Sequence, residues 1–359
     1  MKVLFITRKY PPSTGGMEQF AYDLHEALAA KIDVKLVKWS GTGRLKAILV
    51  ALPTLGMKST VALAGGGLDI IHAQDGVVAP LGYVLSRLFR KPFTVVIHGL
   101  DLTYGNPIFR SVVPWCVRRA DTVFCISQSA AEEARKHGVA DNRIQVVPLA
   151  VTDKLYGKSS RKALLEQLHL PSETKLLLTV GRLVKRKGVA WFIDAVLPDL
   201  VEQYPQLIYL VVGEGPETRS IEAAIELHKL DKNVRLPGRV TGSLYEAAYN
   251  GADIFVMPNI TVPGDIEGFG LVLLEASVCA LPVVAADTEG IKDAVTDGRN
   301  GVLVPVRDAA TFAAQIKRFL DDPDYATQFG KNSRLFTLEN YQWSKIADRY
   351  IDSYEELLG

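Results

Sequence analysis

The sequence predicts an α/β protein made of two doubly wound domains, each a parallel sheet with helices on both faces. Three observations carry the prediction. The chain has 359 residues, more than a single hydrophobic core usually organises. Short runs rich in Val, Ile and Leu alternate with longer helical stretches from the first residues onward, the pattern of parallel strands joined by crossover helices. That pattern stops in the aperiodic segment Pro148–Ser160 and then restarts.

In the first half, Lys2–Thr7 reads as a buried strand and Met17–Ala30 as the first helix. Asp33–Val37, Asp69–His72, Phe93–His98, Thr122–Ile126 and Arg143–Val147 continue the strand series. In the second half the strands are Lys175–Val180, Leu207–Val212, Asn233–Leu236, Asp253–Met257, Leu281–Ala285 and Gly301–Val304. Gly188–Gln203 and Pro216–Lys229 are the first helices between them. The architecture is duplicated without any repeat of residues. The domains are expected to span 1–158, with the closing helix 342–359 added to it, and 159–341. Doubly wound sheets bind ligands at the carboxyl ends of their strands, so functional residues should follow strands.

Composition bounds the function. Hydrophobic residues make up 48% and charged residues 23% of the chain, as in a soluble globular protein. Cys116, Cys125 and Cys279 are too few and too scattered for a disulfide framework or a metal site. They favour a reducing, cytoplasmic setting. The apolar start is cut short by Arg8 and Lys9, so no secretion signal is expected, and no stretch approaches the roughly 18 residues that span a bilayer. Net charge is +1, but residues 1–150 hold 18 Lys and Arg against 11 Asp and Glu, a balance of +7, and the remainder holds 23 against 29. That asymmetry fits either surface variation or a basic face meeting something anionic.

Five motifs follow strands. Thr14-Gly15-Gly16-Met17-Glu18 opens the first helix, where free N–H groups favour an anion; a flexible turn with a first-turn acid accounts for it as well. His98-Gly99-Leu100-Asp101 offers an imidazole to a ligand, or is a capped strand end. In Gly181-Arg182-x-x-x-x-Lys187-Gly188 the forked guanidinium and the compact ammonium suit two linked phosphates, or belong to a solvated loop with Lys185 and Arg186. Gly213-Glu214-Gly215-Pro216 is either a close approach to a nucleotide or a tight turn, with Pro216 at the first helical position. The sharpest is Glu267-Gly-Phe-Gly-Leu-Val-Leu-Leu-Glu275: two acids eight residues apart, with Gly268 and Gly270 exposing amides at a dipole-positive helix start. Glu275 interrupts an apolar helix, and a buried carboxylate needs a polar partner.

Taken in order, with Thr296-Asp-Gly-x-Asn-Gly301, these motifs resemble glycosyltransferase family 4, the retaining transferases of GT-B fold that include mannosyl and glucosyl transferases of cell-envelope glycan and glycolipid synthesis. The resemblance covers nearly the whole chain. It implies two Rossmann-like domains facing across a cleft, with a final helix, Trp343–Leu358, crossing back to the first. It further implies that Arg182 and Lys187 hold the donor diphosphate, Glu267 the transferred sugar and Glu275 the ribose. The amides around Phe269, Gly270, Leu271 and Val272 would meet the sugar and β-phosphate. Gly15 and Gly16 would border the phosphates and His98 the sugar and acceptor; Gly181, Gly213 and Glu214 complete the donor set. The chain departs from the family in carrying Pro148-Leu-Ala-Val-Thr152 at the domain junction and Gly99 after the histidine.

The expected function is therefore retaining transfer of a hexose from a GDP- or UDP-sugar to a hydroxyl of a glycan or lipid-linked acceptor. No cofactor is expected, and no metal, since no Asp-x-Asp metal site appears and Asp265-Ile-Glu267 reads better as the start of the acidic motif. A nucleotide-sugar epimerase of the same fold and a non-catalytic nucleotide-binding regulatory module are the alternatives. Gly41–Leu63, with Arg44, Lys46 and Lys58 among apolar residues, reads as a core-packing helix or as a membrane-surface segment. Phe109-Arg110 and Arg118-Arg119 add basic charge in the same half, so an anionic membrane surface is an expected partner and nucleic acid is not. The expected location is cytoplasmic, peripheral on the inner face of the membrane.

Overall fold

The structure, a computed structural model, describes residues 1–13, 15–39, 45–103 and 107–359. They divide into two compact units, Met1–Leu149 with Trp343–Gly359, and Ala150–Gln342. Thr14 and the 41–44 part of the Gly41–Leu63 segment lie outside the described residues.

The first unit contains β1 (Lys2–Thr7), β2 (Asp33–Lys38), β3 (Ile70–Ala73), β4 (Phe93–Ile97), β5 (Thr122–Cys125) and β6 (Ile144–Val146). They form one parallel sheet in the order β2-β1-β3-β4-β5-β6. β3, β4 and β5 are buried at every position, as expected where helices cover both faces of a parallel sheet. The edge strand β2 alternates instead. The closing helix Trp343–Leu358 packs on Gly16–Ala29, and Lys31 Nζ pairs with Asp348 at 2.6 Å. Tyr350 and Tyr354 reach the core, where the Tyr354 hydroxyl donates to His72 Nδ1 at 2.9 Å.

The second unit contains β7 (Lys175–Val180), β8 (Leu207–Val212), β9 (Val234–Gly238), β10 (Ile254–Met257), β11 (Val283–Ala286) and β12 (Val302–Val304). The sheet order is β12-β11-β10-β7-β8-β9, all parallel. Its core joins Leu177, Tyr209 and Val256 of the sheet to Phe192, Ile316 and Phe312 of the helices; each such side chain contributes about 1.5–3 kcal/mol. The chain fills the sheet from β7 through β9 on one side and then from β10 through β12 on the other. The switch point therefore lies between β7 and β10, where the flanking loops part and leave a crevice.

Every strand lies within two residues of its expected position. Three expectations are corrected. The single helix over 188–203 is two, Val189–Ala195 and Leu197–Gln203, because Pro198 has no N–H and its ring excludes the preceding turn. The helix after β8 begins at Thr218, so Pro216 precedes it and is not its first residue. The segment after Pro148 is not a free connection. Val151 bridges Gln342 and Asp153 pairs with Arg334 at 2.6 Å, which ties residues from Ala150 onward to the second unit.

Candidate functional site

The loop after β7 turns on glycines. Gly181 N–H donates to Val212 O at 2.9 Å, and a Cβ on Gly213 would lie 1.8 Å from Gly181 O, so β7 and β8 end in direct backbone contact. The chain then makes the short 3-10 turn Lys185–Lys187 and reaches Gly188, left-handed at φ 66°. A Cβ there would sit 1.9 Å from Pro258 O. Only glycine lets this loop meet the loop after β10 so closely, and that approach brings Lys187 to Glu267.

Lys187 is buried, and its Nζ lies 2.6 Å from Glu267 Oε2. Arg186 Nε is 3.4 Å from the same oxygen, and Arg186 Nη1 pairs with Asp265 at 2.6 Å. Asn259 Nδ2 also donates to Glu267 Oε2, at 3.0 Å. Burial by itself would raise the Glu267 pKa, but the charges of Lys187 and Arg186 and these hydrogen bonds hold it below the usual carboxylate range. All these contacts fall on Oε2, and among the described residues Oε1 has no partner. Asn259 Oδ1 is likewise buried without one. From the loop after β11, the Glu289 carboxylate accepts from Glu267 N–H. Glu289 stands at φ 45°, a strained conformation for a residue with a side chain. A Cβ on Gly290 would lie 2.2 Å from Gly268 O.

Gly270, at φ 89°, starts the helix Leu271–Val278. Phe269 is buried against Tyr341, whereas Leu271 and Val272 are half-buried. Their amides are first-turn donors without an intrahelical acceptor. Glu275, half-buried on this helix, finds its polar partners in two phenols: Tyr249 donates to Oε2 at 2.8 Å and Tyr245 at 3.0 Å. Burial raises the Glu275 pKa, and the two phenolic hydrogen bonds oppose the rise without cancelling it. Here too Oε1 has no partner among the described residues.

Arg182 is exposed, and its guanidinium has no partner among the described residues. Glu214 is exposed and accepts weakly from Arg239 N–H at 3.4 Å. Gly181, Gly213, Lys187, Glu267 and Gly268 thus form one continuous set, while Glu275 is tied to tyrosines and not to a cation. Asn259, Glu289, Tyr245 and Tyr249 were not singled out in the sequence, where Arg186 reads only as part of a solvated loop and Asp265 only as the start of the acidic motif. For the tyrosines a signal existed: their four-residue spacing puts both rings on one face of the helix Ser243–Gly251.

Gly15, Gly16 and His98 belong to the first unit. A Cβ on Gly15 would meet the Glu18 carboxylate at 2.4 Å, whereas Gly16 faces open space. Glu18 is buried and pairs with Lys9 at 2.8 Å. His98 Nε2–H donates to Gln74 O at 3.2 Å, and Asp101 Oδ2 accepts from His98 N–H at 2.8 Å. Among the described residues the ring's Nδ1 has no partner. At this unit's own switch point, between β1 and β3, Arg8 Nε pairs with Asp75 Oδ1 at 3.1 Å. Among the described residues, no group of three or more His, Cys, Asp or Glu is placed to hold a metal, and no helix is long and apolar enough to cross a membrane.

Comparison with known proteins accounts for both halves. Residues 160–336 match the family model for glycosyl transferases group 1, and residues 14–154 match that for glycosyltransferase family 4. A GDP-mannose-dependent alpha-(1-6)-phosphatidylinositol monomannoside mannosyltransferase of Mycolicibacterium smegmatis is 26% identical over 363 residues, covering 95% of each chain. D-inositol 3-phosphate glycosyltransferase 2 of Catenulispora acidiphila is 29% identical over 323 residues, 84% of this chain and 74% of the relative. Among solved structures, HepE of Anabaena in complex with UDP superposes with a TM-score of 0.78 at 20% identity, covering 99% of this chain and 100% of that one. These matches do not favour the epimerase or the non-catalytic module. The chain thus joins a glycosyltransferase family 4 domain to a glycosyl transferases group 1 domain, and it is a glycosyltransferase of GT-B fold.

Proposed function

We propose that the protein transfers a hexose, with retention at the anomeric carbon and without a metal ion, from a GDP- or UDP-sugar to a hydroxyl of a glycan or lipid-linked acceptor. The observation that carries this reading is the pair of acids in the second unit, each with one carboxylate oxygen fixed by protein donors and the other left for a ligand. Glu267 Oε1 accepts from sugar hydroxyls and Glu275 Oε1 from ribose hydroxyls. The donor class is supported by the mannosyltransferase relative, whose name specifies GDP-mannose, and by HepE structures holding UDP and UDP-glucose. A lipid-linked acceptor is supported by the same relative's phosphatidylinositol monomannoside, and an acceptor of that kind is met at the cytoplasmic face of a membrane.

In this reading the bond from C1 to the diphosphate oxygen breaks with both electrons leaving on the diphosphate. The acceptor oxygen bonds to C1 from the same face, and its proton passes to the departing phosphate oxygen. Arg182, Lys187 and the amides opening Leu271–Val278 stabilise the charge that grows on the diphosphate, and fixed donors aimed at developing charge are the strongest lever a site of this kind has. Charge stabilisation from these groups stands in place of a divalent ion. Gly15, Gly16 and His98 are assigned to ligand contact through the family resemblance alone. The test is Glu267→Ala, assayed for transfer and for nucleotide binding in the presence of a chelator. Transfer is expected to fall by about two to three orders of magnitude with nucleotide affinity kept and the product anomer retained in the wild type. Full activity in the variant, or an inverted product, overturns the proposal.

A further inference from the structure

The helices Leu45–Ala64, Ala79–Phe89 and Pro107–Val117 pack side by side in the first unit. They connect β2 to β3, β3 to β4 and β4 to β5, three steps in one direction along the sheet. Right-handed crossovers therefore put all three on the same face, opposite to Gly16–Ala29 and the closing helix. That face is unusual in two independent ways.

Large apolar side chains stand out of it. Met57 and Val61 are 65% and 69% exposed, Val84 and Leu88 59% and 65%, and Val112 and Trp115 41% each. Water-facing helices normally hide such residues, and adjacent exposed apolar groups on neighbouring helices mark an interaction surface.

Beside them lies a concave basic site. A cavity of about 390 Å³ at the amino ends of β4 and β5 is lined by Arg87, Arg90, Lys91 and Arg119, with Asp121 as its one acid. Asp121 is already engaged, accepting from Phe93 N–H at 2.8 Å. Among the described residues none of these four cations lies within ion-pairing distance of a carboxylate. Elsewhere in the same unit Lys2, Arg8, Lys9, Lys31, Arg135 and Lys136 do, while Lys38 and Arg143 are held by a ring and by backbone carbonyls instead. Aromatic faces hold two of the four in place: Arg119 sits 3.8 Å over Trp115, Arg87 5.3 Å over Tyr83, and the two rings meet edge to face at 5.1 Å. Exposed Lys58 and Arg118 add charge on the same helices and just beyond them.

We propose that this face docks on an anionic phospholipid surface. The phosphates of the headgroups enter the site of Arg87, Arg90, Lys91 and Arg119, while Leu88, Val84 and Trp115 seat in the boundary between headgroups and acyl chains. The charge complementarity fixes the occupant. Unpaired cations in a concavity call for phosphate oxyanions, and the neighbouring apolar groups call for a medium that water does not supply. Trp115 carries both demands in one side chain, 41% exposed and with its face under the Arg119 guanidinium. The inference rests on the proposed lipid-linked acceptor only for its purpose. The surface stands on its own residues, and it lies at the opposite end of the sheet from the loops that carry Arg8, Asp75 and His98.

The test is co-sedimentation of the full chain with vesicles of phosphatidylcholine alone and of phosphatidylcholine mixed with phosphatidylglycerol, at low and moderate salt. The wild type is expected to pellet only with the anionic vesicles and to be released by salt. The triple variant Arg87→Gln, Arg90→Gln, Lys91→Gln is expected to lose about fivefold in partitioning for each charge removed. Leu88→Asn is expected to weaken binding at moderate salt, where the apolar contribution persists. A control pair, Arg135→Gln with Lys136→Gln, removes cations that already have acidic partners and is expected to change nothing. Thermal unfolding with and without UDP or GDP in the same samples verifies folding and reads the donor site separately. Failure of the wild type to bind anionic vesicles, or binding by a folded triple variant equal to the wild type's, overturns the docking surface whatever the nucleotide result.

Discussion

The two sheets solve the same topological problem with different chemistry. Each reverses direction once, between β1 and β3 in the first unit and between β7 and β10 in the second, and each spans that switch point with an ion pair. In the first unit Arg8 meets Asp75, whose Oδ1 also accepts from the amides of Val77 and Val78 at 2.9 and 3.3 Å. The acid is consumed by its own loop, and its second oxygen is buried without a partner. In the second unit Lys187 meets Glu267, whose contacts all converge on one oxygen. The lesson is that an ion pair at a switch point identifies a ligand site only when one partner keeps hydrogen-bonding capacity that is open to the crevice. Both acids take their contacts on one oxygen, but Asp75 buries the other, so under the proposed function the first pair is scaffold and the second binds the donor.

That contrast can be broken directly. Asp75→Ala removes the ion-pair partner of the largely enclosed Arg8, while the charges of Asp101 and Glu18 still act on it, so it is expected to cost about 3 kcal/mol of stability, the low end for a broken buried pair. Nucleotide binding at a permissive temperature should stay unchanged. Chemical denaturation and calorimetric titration read the two quantities. A stable Asp75→Ala protein that no longer binds nucleotide would reverse the assignment of roles.

A second and smaller effect sharpens the comparison through pH. His72 is fully buried in the first unit, where its Nε2–H donates to Gln74 and Nδ1 accepts from Tyr354. Burial, opposed only by the Gln74 hydrogen bond, lowers its pKa from 6.5 to about 4. The unfolded chain takes up this proton first, so the stability is intact above pH 6.5 and is lost as the pH falls from there towards 4. The loss amounts to about 3 kcal/mol, because each tenfold weakening of proton affinity on folding corresponds to about 1.4 kcal/mol. His72→Gln should flatten this part of the profile in denaturation measured at several pH values. Glu267, whose pKa is lowered, contributes in the second unit only at the acid end, with stability lost as the pH falls through its depressed value. An unchanged slope in His72→Gln would show that the histidine does not set the acid limit.

Much of this was legible in the amino-acid sequence. Strands such as Leu207–Val212 are buried at all positions, so they appear as unbroken apolar runs whose ends are marked by glycine or a charge. Glu275 was legible for the opposite reason, as a carboxylate inside an apolar helix. What could not be read was who answers it. Tyr245 and Tyr249 come from the preceding helix, and nothing local links them to residue 275. The loop after β7 was legible only in part. Four cations stand within six residues, and the motif favours Arg182 with Lys187. The 3-10 turn Lys185–Lys187 carries Arg186 and Lys187 onto the acids and leaves Arg182 at the surface. Glu289 was invisible because its role is to accept from a backbone amide across a loop, an interaction that leaves no trace in spacing. The break at Pro198, by contrast, was present in the residues and follows from proline's missing donor.

Glu275 offers the sharpest test that the free oxygen of each acid is the one that binds ligand. Whichever of UDP and GDP binds would be titrated calorimetrically, beside its 2′,3′-dideoxyribose analogue, into the wild type, Glu275→Ala and Tyr249→Phe. Glu275→Ala is expected to weaken the natural nucleotide about tenfold or more, as for a hydrogen bond to a charged group. Tyr249→Phe should weaken it by a smaller factor, and neither should weaken the dideoxy analogue further. Equal losses for the natural nucleotide and the analogue would contradict the claim, because the carboxylate would then be acting on something other than the ribose hydroxyls.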